Sequence, residues 1–151
     1  MKMSRGRRTG GFTIVELAVV AGIIALLASF SIPNLLRARH NSTEVLAIGS
    51  CQTLGKAFQN FYARELPHTY PGSLAALNAS NPPYIDPVLA GGEKQGYRFV
   101  YTLQDPEHFE LRAQPVSPGH SGSRYFFLDQ TGVLRVQTGA PAGPTDIPVE
   151  G

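Results

Sequence analysis

One cysteine, Cys51, stands among 151 residues, so the chain cannot close a disulfide within itself and must draw its stability from a packed core and from assembly. Cys51 also lies too far beyond the chain's apolar run to serve as a lipid anchor, and a small buried hydrophobe is its expected role, ahead of an intermolecular one. Acidic residues are missing from the first fifteen positions, while Lys2, Arg5, Arg7 and Arg8 supply basic charge there. Residues 12–32 lack every ionisable side chain but Glu16. Catalytic patterns are scarce too. Gly49 to Lys56 has five residues between Gly49 and Gly55 where a phosphate-binding loop needs four, and Ala57 stands where that loop needs Ser or Thr. Gly119-His120-Ser121-Gly122 lacks the spacing of a nucleophile elbow and reads as a turn. His40, His68, His108 and His120 are scattered without ligand spacing, and no Asp-x-Asp calcium loop occurs. The chain is therefore expected to be no enzyme, with no metal site and no cofactor.

What is present is a span. Residues 12–32 read FTIVELAVVAGIIALLASFSI, and 21 residues of helix reach roughly 31 Å at ~1.5 Å each, the thickness of a bilayer's hydrocarbon core. An ionised Glu deep in such a helix costs about 2.5–3.5 kcal/mol, so Glu16 either reaches the headgroups or meets a counter-charge. The basic flank keeps the N-terminus cytoplasmic and sends the remainder outward. A secretory signal peptide shares that layout, but this run exceeds the ~7–15 residues of a signal core, and Ser29-Phe30-Ser31 makes a poor cleavage site. Gly10 and Gly11 instead offer flexible backbone on the cytoplasmic side.

A short basic leader ending in Gly11, then Phe12-Thr13-Ile14-Val15-Glu16-Leu17, a long apolar run and Ile32-Pro33-Asn34-Leu35-Leu36 together resemble the N-terminus of type IV pilins and type II secretion pseudopilins. The likeness covers about residues 8–36 directly; the rest agrees in layout. It implies cleavage between Gly11 and Phe12 by a prepilin peptidase, N-methylation of Phe12, and a docking role for Glu16 against the N-terminal amine of a neighbouring subunit. It implies a homo-oligomeric or mixed filament in which other pilin-like subunits are partners, with an assembly ATPase and an inner-membrane platform acting indirectly. Electrostatics agrees: cleavage before Phe12 creates an ammonium at the membrane boundary, and a carboxylate four residues on is its natural counter-charge, within the chain or across subunits. The first reading is a pseudopilin of a type II secretion system. The alternative is a type IV pilus subunit for adhesion, motility or DNA uptake, and a third is a solitary membrane-anchored binding domain that keeps its leader. Many surface pilins close a C-terminal loop with a cysteine pair, impossible here; major pseudopilins often carry an acidic calcium loop near the C-terminus, also missing.

Removing the leader changes the charge. The whole chain carries 13 basic and 11 acidic residues, a net +2; without the four leader residues, nine basic face 11 acidic, a net −2. The basic cluster would be discarded in the cytoplasm, which argues against a nucleic-acid partner. Arg37 and Arg39, just past the span, are placed to meet headgroups or neighbouring subunits.

The expected organisation is a leader at 1–11, a transmembrane and assembly helix at 12–32, an amphipathic continuation at 33–65, an exported globular region at 66–137 and an irregular tail at 138–151. No proline falls between positions 34 and 64, and Glu44, Ile48, Cys51, Gly55, Phe58 and Tyr62 recur at three- and four-residue steps, so one helix kinked at Pro33 is predicted. The hydroxyls of Ser29 and Ser31 are expected to re-satisfy backbone groups freed by Pro33. Gly49 and Gly55 are expected in close packing, and Ser73 is expected to cap a short helix. From Tyr97 the period changes to two, which predicts strands through Tyr97–Leu103 and Phe109–Gln114, then 124–129 and 133–137 about a turn at Gln130-Thr131-Gly132. The fold class is α+β: a long helix on a small antiparallel sheet of about four strands.

Overall fold

The computed structural model describes residues 11–149, so the leader expected at 1–11 lies outside the described residues except for Gly11. The chain divides into two compact units, Met1–Leu36 and Arg37–Gly151. Helix α1 (Ile14–Arg64) crosses the boundary and includes Pro33 without interruption. It ends where Leu66-Pro67 disfavours further helical backbone. Ser29 Oγ donates to Leu26 O at 2.7 Å and Ser31 Oγ to Leu27 O at 2.9 Å. The hydroxyls thus bond back along the helix, and neither serves the Ser29 carbonyl that Pro33 leaves without its donor.

In the first unit the large apolar side chains of α1 are exposed, Ala28 alone being half-buried, and none of its apolar window is buried. Among the described residues α1 is the one helix long and apolar enough to cross a membrane.

In the second unit α1 buries Glu44, Ala47, Ser50, Cys51, Leu54, Ala57 and Phe58, a stripe at helical spacing. Gly55 is close-packed as expected, since a Cβ there would meet Leu128 Cδ2 at 3.1 Å; Gly49, by contrast, is exposed and faces open space. Two short helices follow, α2 (Leu74–Ala79) and α3 (Pro87–Ala90). Ser73 caps α2, accepting from Ala76 N at 3.3 Å. Asp86 caps α3, accepting from Leu89 N at 2.9 Å, and Pro87 occupies the first turn, where its missing N–H costs nothing.

The sheet has six strands rather than four: β1 (Glu93–Lys94), β2 (Tyr97–Asp105), β3 (His108–Pro115), β4 (Arg124–Asp129), β5 (Arg135–Thr138) and β6 (Ile147–Pro148). Each pairs antiparallel with the next in an unbroken meander. The two additions are two-residue edge strands. One of them, β6, lies inside the tail expected to be irregular, where Val136 pairs with Ile147 and Val149 N donates to Leu134 O at 2.8 Å.

Alternation along β2 and β3 turns Tyr97, Phe99, Phe109, Leu111 and Ala113 inward against Cys51, Leu54 and Phe58 of α1. Aromatic rings weld the layers: Phe58 lies 4.6 Å from Phe109 and 4.8 Å from Tyr101, and Tyr70 lies 4.6 Å from Phe109. Each buried side chain of this size contributes about 1.5–3 kcal/mol, and the offset and tilted ring contacts add roughly 0.5–1.5 kcal/mol per pair. The Tyr101 hydroxyl meets its hydrogen-bonding need by donating to Pro71 O at 2.6 Å.

Candidate assembly site

The expected site residues Gly11, Phe12 and Glu16 gather at the start of α1, and all are exposed, Phe12 at 77%. Thr13 caps the helix. Its carbonyl accepts from Leu17 N at 3.2 Å and its Oγ1 from Glu16 N at 3.1 Å. Glu16 answers with Oε2, which accepts from Thr13 N at 3.3 Å and from Thr13 Oγ1 at 3.4 Å. This is a reciprocal capping box, in which side chain and backbone at N-cap and N3 satisfy each other's orphan donors. The Thr-x-x-Glu spacing announces it in the sequence, and Thr13 is the site residue that the resemblance alone did not single out.

The box has a chemical consequence. A helix N-terminus carries a partial positive charge, so a free ammonium one residue before Thr13 would be unfavourable there without a carboxylate at hand. Glu16 is held at that end with Oε2 alone in hydrogen bonds among the described residues. Pro33 belongs to the same unit but not to this cluster; it stands in the interior of α1.

A second carboxylate, Glu44, is 5% exposed and is where α1 is fastened to the sheet. Its Oε1 accepts from Ser123 N at 2.8 Å, Ser123 Oγ at 3.2 Å and Arg124 N at 3.3 Å, and its Oε2 from Arg124 Nε at 2.6 Å. Burial by itself raises the Glu44 pKa, but the Ser123 N–H, the Arg124 side chain and charge, and the Ser123 hydroxyl together outweigh it and hold the carboxyl below its ordinary value. Thr43 Oγ1 adds a 2.5 Å bond to Ser121 O, so the loop 117–123 is pinned to α1 at adjacent residues. Gly122 is required here: φ is +155°, and a Cβ would overlap the Tyr97 phenol. Burial, followed by the Glu44 charge, pushes the Tyr97 hydroxyl above its usual range, which keeps it a donor to Arg124 O at 2.9 Å.

Cys51 is 1% exposed, as expected of a small core residue. Burial pushes its thiol up to about 12. Among the described residues no group of three His, Cys, Asp or Glu side chains is arranged to hold a metal ion.

Comparison with known proteins agrees with the N-terminal motif. The chain is 38% identical over 71 residues to the type IV wide pilus major component of Thermus thermophilus, covering 47% of this chain and 53% of that one. It is 31% identical over 88 residues to the type II secretion system core protein G of Escherichia coli, covering 58% of this chain and 59% of the relative. To the core protein G of Aeromonas hydrophila it is 29% identical over 120 residues, or 77% and 78% of the two chains. The chain thus spans between half and three-fifths of the length of the first two relatives. No protein-family model and no solved structure matches it.

Proposed function

We propose that this chain, a relative of the type IV pilins and type II secretion pseudopilins, is a pilin-like structural subunit that a prepilin peptidase trims between Gly11 and Phe12 and that then assembles into a filament. The observation that carries the reading is the head of α1: an exposed apolar span whose one charge, Glu16, is held by Thr13 at the helix N-terminus, four residues from Phe12. Cleavage frees the amine of Phe12 at that same end. An incoming subunit in register sets its Glu16 against the amine of its neighbour, whereas a slipped one leaves both charges uncompensated in a medium where each costs several kcal/mol, about. Growth is driven by an ATPase and a membrane platform, and the chain itself carries out no catalysis.

In this reading the span sits in the bacterial inner membrane, with the N-terminus cytoplasmic and the second unit exported. The secretion pseudopilin is favoured, supported by two relatives named for a type II secretion system. The pilus subunit is the second reading, supported by the relative named as a pilus component. Glu16→Ala tests the docking role: the variant should insert in membranes like the wild type and be lost from filaments. Normal incorporation of Glu16→Ala would refute it.

A further inference from the structure

We propose that Arg37 and Arg39 form a collar that binds the phosphates of anionic lipid headgroups on the exported face of the membrane. The proposal rests on the membrane-anchored reading above. The apolar run at residues 12–32 matches the depth of the hydrocarbon core, and Arg37 and Arg39 follow five and seven residues later, about 8 and 11 Å further along α1. The two arginines therefore fall at the level of the headgroups.

Both arginines are exposed, and neither forms an ion pair among the described residues. The sequence explains why. Between Glu16 and Glu44 there is no acidic residue, so no carboxylate falls three or four positions from either arginine. Glu44, the first acid beyond them, is buried and already takes four hydrogen bonds from Ser123 and Arg124. Among the described residues the two guanidinium groups are thus left with solvent-facing donors and no counter-charge.

Their arrangement selects the partner. Two positions apart on a helix of ~3.6 residues per turn, the side chains leave the axis roughly 200° apart and about 3 Å apart in height. A neighbouring protein would meet one side of the helix. A shell of lipid surrounds it, and places phosphates on both sides at one level, which guanidinium forks match in geometry and charge. Cleavage sharpens the asymmetry: once Lys2, Arg5, Arg7 and Arg8 are removed, the basic flank of the span is the exported one. The collar then holds a waiting subunit at its outer boundary.

Spin-labelled phosphatidylglycerol and phosphatidylcholine, each in vesicles of phosphatidylcholine carrying the chain purified from membranes, give the relative association of the two lipids with the span. Roughly fivefold preference for the anionic lipid is expected per arginine, weakened at high salt. Arg37→Gln/Arg39→Gln should bring the ratio close to one, and Arg37→Lys/Arg39→Lys should keep most of it, which separates lost charge from lost structure. An unselective wild type, or a glutamine variant that stays selective, would overturn the proposal. So would a glutamine variant with unchanged lipid preference that drops out of filaments, which would assign the arginines to a protein neighbour. Release of the wild-type chain from membranes by alkaline carbonate would sink the anchored reading itself, whereas a retained but unselective chain sinks only the collar.

Discussion

Glu44→Ala should destabilise the second unit by about 3 kcal/mol, the low end of the ~3–5 kcal/mol for breaking a buried ion pair. The magnitude follows from who loses a partner. The carboxylate takes four hydrogen bonds, and its removal strands the Ser123 and Arg124 N–H groups behind the helix at roughly 1–3 kcal/mol each, while the hydroxyl of Ser123, an exposed residue, turns to water. The Arg124 side chain is 35% exposed and can turn to solvent, which keeps the total down. For a unit of this size about 3 kcal/mol lowers the melting temperature by roughly 10–15 °C. Circular dichroism of the full chain in detergent, melted beside Glu44→Gln, reads it. The glutamine keeps one acceptor but loses the charge, and should fall about midway. A Glu44→Ala chain within about 0.5 kcal/mol of the wild type, the range of an ordinary surface change, would show that α1 is not fastened to the sheet through this group.

The same clamp sets an acid limit. The folded Glu44 pKa lies below the ordinary 4.5, so the unfolded chain takes up the proton first; the stabilisation is complete above that value and is lost as pH falls through the folded pKa. Melting followed between pH 7 and 3 should therefore drop more steeply in the wild type than in Glu44→Ala, and parallel curves would contradict it. Cys51, 1% exposed with its thiol pushed up to about 12, should resist maleimide in the folded chain and react on unfolding; rapid labelling at neutral pH would contradict its burial. Gly122→Ala forces a methyl into the buried Tyr97 ring and should cost at least about 2 kcal/mol in the same melting assay, so a variant as stable as the wild type would refute that packing.

The N-terminal motif and the strands β2 and β3 were legible because each repeats a local rule, and β4 and β5 because they flank the turn at Gly132. Residues 12–32 are one apolar run, helical from Ile14, and Tyr97, Phe99, Phe109 and Leu111 recur on one face at the two-residue period of a half-buried sheet. Elements β1 and β6 are two residues long, too short to show a period, and β6 contains Pro148, a residue that argues against a strand except at an edge. Helix α3 spans one turn, and its only advance notice is Asp86-Pro87, a cap followed by proline. The clamp showed only half of itself. Glu44 falls on the buried stripe of α1 where a hydrophobe is expected, and its partners Ser123 and Arg124 lie 79 and 80 residues away. Gly55 belongs to the three- and four-residue repeat of α1 and Gly49 does not: six residues apart they point to different faces of the helix, so only Gly55 faces the sheet, where Leu128 meets it.

Mass spectrometry of the N-terminal peptide from the protein in its own cells tests the central claim most directly. The account predicts a peptide that begins at Phe12 and carries one methyl group on its amine, with residues 1–11 gone. A chain that keeps Met1, or that begins at any residue other than Phe12, would contradict it.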